Sequence, residues 1–311
     1  MEENTQKTVL ISNIQKFNMY DGPGVRTIVF FKGCPLRCKW CANPESIRAG
    51  YQVLYSKDLC NHCGNCVHVC PKNIHSMEGG KHKVKRNNDC IGCRSCADAC
   101  PPRAIEISGK QKTIGELLQV IKEDAMFYEM SGGGLTLSGG ECTMQSTACR
   151  DLLKASKEEG INTAIETSGF TKPERMLEIA KYVDFFLYDI KHMDPVRHKE
   201  LTGVSNDLIL QNLKELLHRG CNLTVRMPIL KGINDDAREI QAVVNFLKPY
   251  KDKPNFQGIH LLPYHRLGVN KYQQLEQVYQ VVEDPSISPE EIGQIETWIR
   301  AAEIKVKTIR H

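Results

Sequence analysis

Fourteen cysteines constrain this chain more than any other feature, because most of them crowd into two places. Cys34, Cys38 and Cys41 form a triplet, eight more lie between Cys60 and Cys100, and Cys142, Cys149 and Cys221 stand apart. Clusters of this kind argue for metal ligation in a reducing compartment. A disulfide scaffold would be a smaller chain with its cysteines spread along it. The three isolated cysteines have no partner spacing and read as small buried hydrophobes.

The eight-cysteine stretch has an internal repeat. Cys60, Cys63, Cys66 and Cys70 have gaps of two, two and three residues, and Cys90, Cys93, Cys96 and Cys100 repeat that spacing; a proline closes each run. This is the two-cluster bacterial ferredoxin pattern, in which the fourth cysteine of each run ligates the other run's cluster. It assigns Cys60, Cys63, Cys66 and Cys100 to one 4Fe–4S cluster and Cys90, Cys93, Cys96 and Cys70 to a second. Zinc suits a single C-x2-C pair, but two full runs favour iron and sulfur. His62, His68, His75 and His82 share the stretch, and with eight thiolates for eight irons none is expected to be a ligand. The triplet differs, since three thiolates with no fourth leave one iron open to bind something else.

Around these cysteines the chain alternates strand and helix. Strand signals fall at Val9–Ser12, Val25–Phe31, Leu135–Ser138, Thr163–Glu166, Phe185–Tyr188, Leu223–Met227, Ile259–Leu262 and Val306–Ile309. Capping boxes are read at Thr113/Glu116, Thr171/Glu174 and Ser288/Glu291. Six strand–helix units imply an α/β fold with a parallel sheet, too few for a full eight-fold barrel. The expectation is an open, partial (β/α)6 barrel from residues 1–50 and 103–311, with residues 51–102 inserted as a ferredoxin-like domain carrying two 4Fe–4S clusters. Polar residues at the carboxyl ends of the strands mark the expected site. Gly232-x-Asn234-Asp235 reads as a turn.

The net charge of +4 carries no long basic run, which argues against nucleic acid as a partner. The polar start, Met1 to Lys7, lacks an apolar signal core. No stretch approaches the roughly 18 apolar residues that span a bilayer. A cytoplasmic protein without a membrane partner is expected.

The triplet, a Gly139-Gly140-Glu141 sequence and the barrel resemble the radical S-adenosylmethionine superfamily. Asp21-Gly22-Pro23-Gly24-Val25-Arg26-Thr27, the segment Phe31–Glu45 around the triplet, and Asp189-Ile190-Lys191-His192-Met193 resemble the glycyl-radical-enzyme activating enzymes. The double ferredoxin insert is similar to that of the larger members. The resemblance implies a 5′-deoxyadenosyl radical, formed by reductive cleavage of S-adenosylmethionine, that takes a hydrogen from a glycine α-carbon of a partner enzyme. That chemistry is oxygen-sensitive and anaerobic.

The resemblance also implies roles. Cys34, Cys38 and Cys41 hold the site-differentiated catalytic cluster. Trp40, Cys41 and Ala42 lie beside the cofactor, and Gly139, Gly140 and Glu141 bind its ammonium group through backbone oxygen and neighbouring groups. Asp189, Ile190, Lys191 and His192 match the Asp-Ile-Lys-His segment, with Lys191 near the cofactor carboxylate, and Arg226 and His265 line the site. Glu166 and Thr167 occupy the place of a monovalent-cation site. Here, however, the acid is Glu instead of Asp and Leu187 replaces a methionine, which leaves the cation in doubt. A flavodoxin or ferredoxin-type donor is implied. Choline trimethylamine-lyase and isethionate sulfite-lyase are favoured as partners over hydroxyphenylacetate decarboxylase and diol or glycerol dehydratases. Two alternatives remain: a radical enzyme that modifies another peptide or a small molecule using auxiliary clusters, and an iron–sulfur electron-transfer protein.

Overall fold

The computed structural model describes residues 6–86, 89–281 and 283–310; the polar start through Thr5 lies outside them. In chain order the strands are β1 (Thr8–Asn18), β2 (Arg26–Phe31), β3 (Gln52–Tyr55), β4 (His75–Glu78), β5 (Lys81–Val84), β6 (Ile105–Ser108), β7 (Lys110–Thr113), β8 (Gly134–Gly139), β9 (Asn162–Thr167), β10 (Phe185–Asp189), β11 (Leu223–Ile229), β12 (Phe256–Pro263) and β13 (Val306–Thr308). The helices are α1 (Asn65–Val69), α2 (Ser95–Asp98), α3 (Ile114–Lys122), α4 (Ala125–Ser131), α5 (Ser146–Glu158), α6 (Pro173–Ala180), α7 (Pro195–Thr202), α8 (Asp207–His218), α9 (Ala237–Leu247), α10 (Val269–Leu275) and α11 (Pro289–Arg300).

Nine strands form one open sheet in the order β13-β12-β11-β10-β9-β8-β2-β1-β7. Every neighbouring pair from β2 to β13 is parallel. The remaining edge, β1 and β7, is antiparallel. Strands such as Arg26-Thr27-Ile28-Val29-Phe30-Phe31 are buried along nearly their whole length, as parallel strands under helices must be. Ile114, Leu117 and Ile121 on α3, Leu213, Leu216 and Leu217 on α8, and Ile240, Val243 and Leu247 on α9 belong to the same core. Cys142 and Cys149 are buried there too, with Cys221 packed against it.

Local expectations met different fates. The boxes on α3 and α11 form in both directions. The one read at Thr171 does not, because Lys172 is the N-cap of α6 and Pro173 opens the helix. Pro173 supplies a helical φ without needing a side-chain cap. Strand β1 extends well beyond Ser12, and β7 and the helices α7 and α10 were not expected.

Between β2 and β7 the chain builds a separate small core. Strand β3 pairs with β6, and β4 with β5. Val53, Tyr55, Cys66, Cys70, Ile74, Val84, Cys96, Ala104, Ile105 and Ile107 are buried together there. This unit runs past residue 102, because β6 supplies Ile105 and Ile107 to its core and the partner strand for β3.

Candidate active site

The cysteine triplet follows directly on β2, and protein carbonyls hold its loop. The amides of Gly33 and Cys34 donate to Ser46 O and Ile47 O at 2.8 and 2.9 Å. Those of Arg37 and Lys39 donate to Thr202 O and Leu201 O at 2.6 and 3.0 Å. Leu201 and Thr202 end α7, where carbonyls lack partners inside the helix. On the other side Gly268 packs so tightly on Cys41 and Ala42 that a Cβ would come within 2.8 Å of the Ala42 Cα. Lys271 of α10 bonds Asn43 Oδ1 and Glu45 Oε1 at 2.9 and 2.7 Å. None of the cysteines forms a disulfide. Burial, followed by the field of Glu141, pushes the Cys34 thiol up; burial and then neighbouring Cys38 push Cys41 up to about 12. Cys38 is also raised by burial, against the opposing pull of Lys191. Three unpaired thiols that feel one another's charge, with a buried ammonium beside them, fit a metal cluster with three protein corners.

The next strand end is shaped by backbone crowding. Gly139 has φ +113°, and a Cβ there would run into the Phe31 backbone; a Cβ on Gly140 would meet Gly33 O and Ser46 O. Only glycine lets β8 end against the triplet loop. The Glu141 side chain turns inward and is buried. Its Oε1 accepts from the Thr143 amide and from the hydroxyls of Thr143 and Thr167, at 3.3, 2.8 and 2.7 Å. Its Oε2 accepts from the Ser168 amide and hydroxyl at 2.8 and 2.6 Å. Glu141 and Thr167 therefore tie the ends of β8 and β9 together.

Strand β10 ends at Asp189, whose Oδ2 lies 2.8 Å from Lys191 Nζ. Its Oδ1 is buried without a hydrogen-bond partner. Burial raises the Asp189 carboxyl, whereas nearby Asp189 and Cys38 raise Lys191 above the ordinary lysine range against the cost of burial. A buried ammonium and an orphaned carboxylate oxygen beside the thiols fit a zwitterionic ligand with an amine and a carboxylate. Ile190 is buried, and its amide donates to Arg226 O at 2.9 Å. His192 is buried against α9, away from the thiols. Its Nδ1 accepts the Asp194 amide at 3.0 Å and sits 3.3 Å from Glu239 Oε2.

Arg226 pairs with Asp189 across the β10–β11 ladder and is fully buried. Its Nη1 donates to Asp21 Oδ1 and Glu166 Oε1 at 2.7 and 3.0 Å, and Ser138 donates to Glu166 Oε2 at 2.5 Å. Glu166 and Thr167 are thus engaged by protein partners. Trp40 and Ala42 are half-buried in the triplet loop, and His265 is exposed in the loop after β12.

Four contributors escaped sequence reasoning. Asn234, read as a turn residue, is buried and donates to Lys191 O and Pro228 O at 3.1 and 2.7 Å. Asn206 donates to His192 O and Met193 O at 3.0 and 2.7 Å. Glu239 Oε1 accepts the Met193 amide at 2.6 Å. Three side chains from three elements thus pin the segment carrying Lys191. Asp21 was named only within the Asp21–Thr27 motif, with no role of its own, yet it pairs with Arg226. A cleft of about 710 Å³ opens from Cys34 and Cys38 to Cys90 and Arg86 on the inserted unit.

In that unit the two runs adopt matched environments. The His62 and Gly92 amides donate to Cys60 Sγ and Cys90 Sγ, each at 3.4 Å. The Ile74 and Ala104 amides donate to Cys70 Sγ and Cys100 Sγ at 3.5 and 3.2 Å. Burial pushes Cys66 up to about 11, with Cys100, Cys60 and Cys63 adding to the rise; Cys96 is raised to about 12 by burial and by Cys70, Cys90 and Cys93. Burial also lowers both His75, to about 4, and His82.

No helix among the described residues is long and apolar enough to cross a membrane. Residues 28–244 match the Radical SAM superfamily. Over 98% of its length the chain is 53% identical to the choline trimethylamine-lyase activating enzyme of Oleidesulfovibrio alaskensis, covering 99% of that protein. It is 41% identical to the trans-4-hydroxy-L-proline dehydratase activating enzyme of Clostridioides difficile, over 96% of this chain and 98% of that one. It is 39% identical to the isethionate sulfite-lyase activating enzyme of Desulfovibrio desulfuricans, over 85% of each. With a family model matching most of the chain and relatives covered nearly end to end, the chain belongs to the radical SAM superfamily as one of its glycyl-radical-enzyme activating enzymes.

Proposed function

We propose that this chain installs the glycyl radical on a choline trimethylamine-lyase, with isethionate sulfite-lyase as the second candidate partner. Identity to the choline relative exceeds that to the others by 12 points or more and runs the whole length. A 4Fe–4S cluster held by Cys34, Cys38 and Cys41 would supply the electron for reductive cleavage of S-adenosylmethionine, the radical chemistry that would remove the partner's glycine hydrogen. The chain's own residues hold and orient. Cys34, Cys38 and Cys41 supply three corners of the cluster. Lys191 meets the carboxylate of the methionyl group. The backbone at Gly139, Gly140 and Glu141 receives its ammonium, and Trp40, Ala42, Ile190 and His265 border the cofactor. Asp189 keeps Lys191 charged. Arg226, tied to Asp21 and Glu166, braces the strand ends against each other.

The inserted unit is read as a ferredoxin-like domain on a partial (β/α)6 barrel. Cys66 feels Cys100, Cys60 and Cys63, whereas Cys96 feels Cys70, Cys90 and Cys93, which supports crossed ligation of two auxiliary clusters, three clusters in all. The cleft shared by Cys34, Cys38 and Cys90 supports the insert as the electron route from a flavodoxin or ferredoxin-type donor.

The observation that carries the enzymatic reading is the largely enclosed Lys191–Asp189 pair beside the thiol triplet, which an electron-transfer protein would not need. Anaerobically reconstituted protein, dithionite and S-adenosylmethionine should give 5′-deoxyadenosine, and with choline trimethylamine-lyase a glycine-centred paramagnetic signal. Absence of 5′-deoxyadenosine defeats the enzymatic reading. A signal with isethionate sulfite-lyase alone reassigns the partner.

A further inference from the structure

The small core holds one polar feature that thiol ligation leaves unused. His75 on β4 and His82 on β5 face each other, with Nδ1 of the first 2.9 Å from Nε2 of the second. The two residues are 2% and 4% exposed. Their outer nitrogens, Nε2 of His75 and Nδ1 of His82, are buried without a hydrogen-bond partner among the described residues. One nitrogen from each ring and Cys66 Sγ lie within 4.8 Å of one another. Tyr55 closes the far side, its ring edge-on to His82 at 4.6 Å between centroids.

Counting protons decides what the pair presents. Two neutral imidazoles carry two ring protons, and one of these occupies the N–H···N bond. If His75 gives it, His82 keeps its own on Nδ1; if His82 gives it, His75 keeps its own on Nε2. Either way a single outward N–H remains in a place where an unmade hydrogen bond is costly. The acceptor chemistry beside the pair is sulfur, with Cys66 Sγ within 4.8 Å of one nitrogen of each ring. His62 does not compete, because its Nδ1 accepts the His82 amide at 3.2 Å, so the ring proton sits on Nε2. The other run has only a hydroxyl in this role, Ser95 donating to Cys93 Sγ at 3.6 Å. Hydrogen bonds to ligating sulfurs favour the more negative, reduced form of a cluster.

We propose that the His75–His82 pair donates one N–H to the sulfur shell of the cluster held by Cys60, Cys63, Cys66 and Cys100, making it the easier of the two insert clusters to reduce. This rests on the reading that the insert holds two clusters.

The test is a redox titration followed by paramagnetic resonance on full-length protein reconstituted with iron and sulfide, comparing wild type with His75→Leu and His82→Leu. Iron content stays at the wild-type level, and one reduction wave moves to lower potential while the others stay. A tenfold fall in the reduced-to-oxidised ratio at fixed potential corresponds to about 59 mV for one electron. Pulsed resonance on wild type labelled with ¹⁵N-histidine gives a weak nitrogen coupling and a proton coupling lost in D2O. This second measurement decides alone if the variants lose the cluster. Unmoved waves in variants that keep three clusters, or no histidine coupling, overturn the inference. A strong coupling from a directly bound nitrogen also overturns it, by making histidine an iron ligand. Wild type that holds only one cluster overturns the two-cluster reading itself.

Discussion

At Lys191 a charge is kept in a place that burial alone would neutralise. The ammonium is held by Asp189 Oδ2 at 2.8 Å and by the thiol side of Cys38. A charge-assisted hydrogen bond is worth about 1.5–3 kcal/mol. Lys191→Met should therefore weaken S-adenosylmethionine binding about ten- to hundredfold in equilibrium dialysis, with the iron at the triplet retained. Arg226 is a different case, because its guanidinium serves two carboxylates and no ligand is assigned to it. Arg226→Leu leaves Asp21 and Glu166 facing each other, and breaking a buried pair costs about 3–5 kcal/mol. The unfolding midpoint in denaturant should fall accordingly, and Arg226→Lys should recover only part of the loss, because the lysine chain is one atom shorter and its ammonium is more strongly hydrated. The cysteines were legible because thiol spacing is itself the chemistry. Asn206, Asn234 and Glu239 were not, since each acts on a backbone group that only the topology brings near.

Among the elements, the segment from Asp189 to Met193 depends on its neighbours for shape. Glu239, at the start of α9, accepts the Met193 amide and faces a His192 nitrogen whose lone pair is already used by the Asp194 amide. Burial raises the Glu239 carboxyl to about 7, so below that pH it is neutral and no longer sets a buried charge beside His192. A carboxyl whose folded value lies above its unfolded value contributes stability that is complete below the unfolded value and disappears as pH rises through the folded one. Glu239→Gln, neutral throughout and still able to accept the Met193 amide, should melt above wild type at pH 8.5, with the gap closing at pH 5.5. The end of β8 has a steric counterpart. Gly140→Ala would drive a methyl into the carbonyls of Gly33 and Ser46, and iron retention at the triplet should fall several-fold on gel filtration. The parallel strands were legible as β-branched, fully buried runs. Strand β7, Lys110-Gln111-Lys112-Thr113, was not, because an exposed edge carries no apolar pattern. Nor was α7, whose eight residues mix charge and β-branching and bury only His198, Leu201 and Thr202.

Over the whole molecule, two cores face each other across a cleft lined by residues of both units. Arg86 is one of the fasteners: its Nε meets Glu276 Oε2 at 3.0 Å and its Nη2 donates to Gln274 O at 2.8 Å, at the end of α10. The same α10 grips the triplet loop through Lys271, so one short helix touches both the catalytic loop and the insert. Arg86→Ala should loosen the insert by about 1–2 kcal/mol, and amide exchange in β3 and β6 should quicken roughly tenfold while the main sheet is unaffected. The triplet loop has a further property at this scale. Its amides end on the carbonyls of Ser46, Ile47, Leu201 and Thr202, so its path is written in main-chain bonds that do not involve the metal. Damage by oxygen then becomes an injury to the prosthetic group and not to the fold, and the enzyme can be repaired by reloading iron and sulfide instead of being made again.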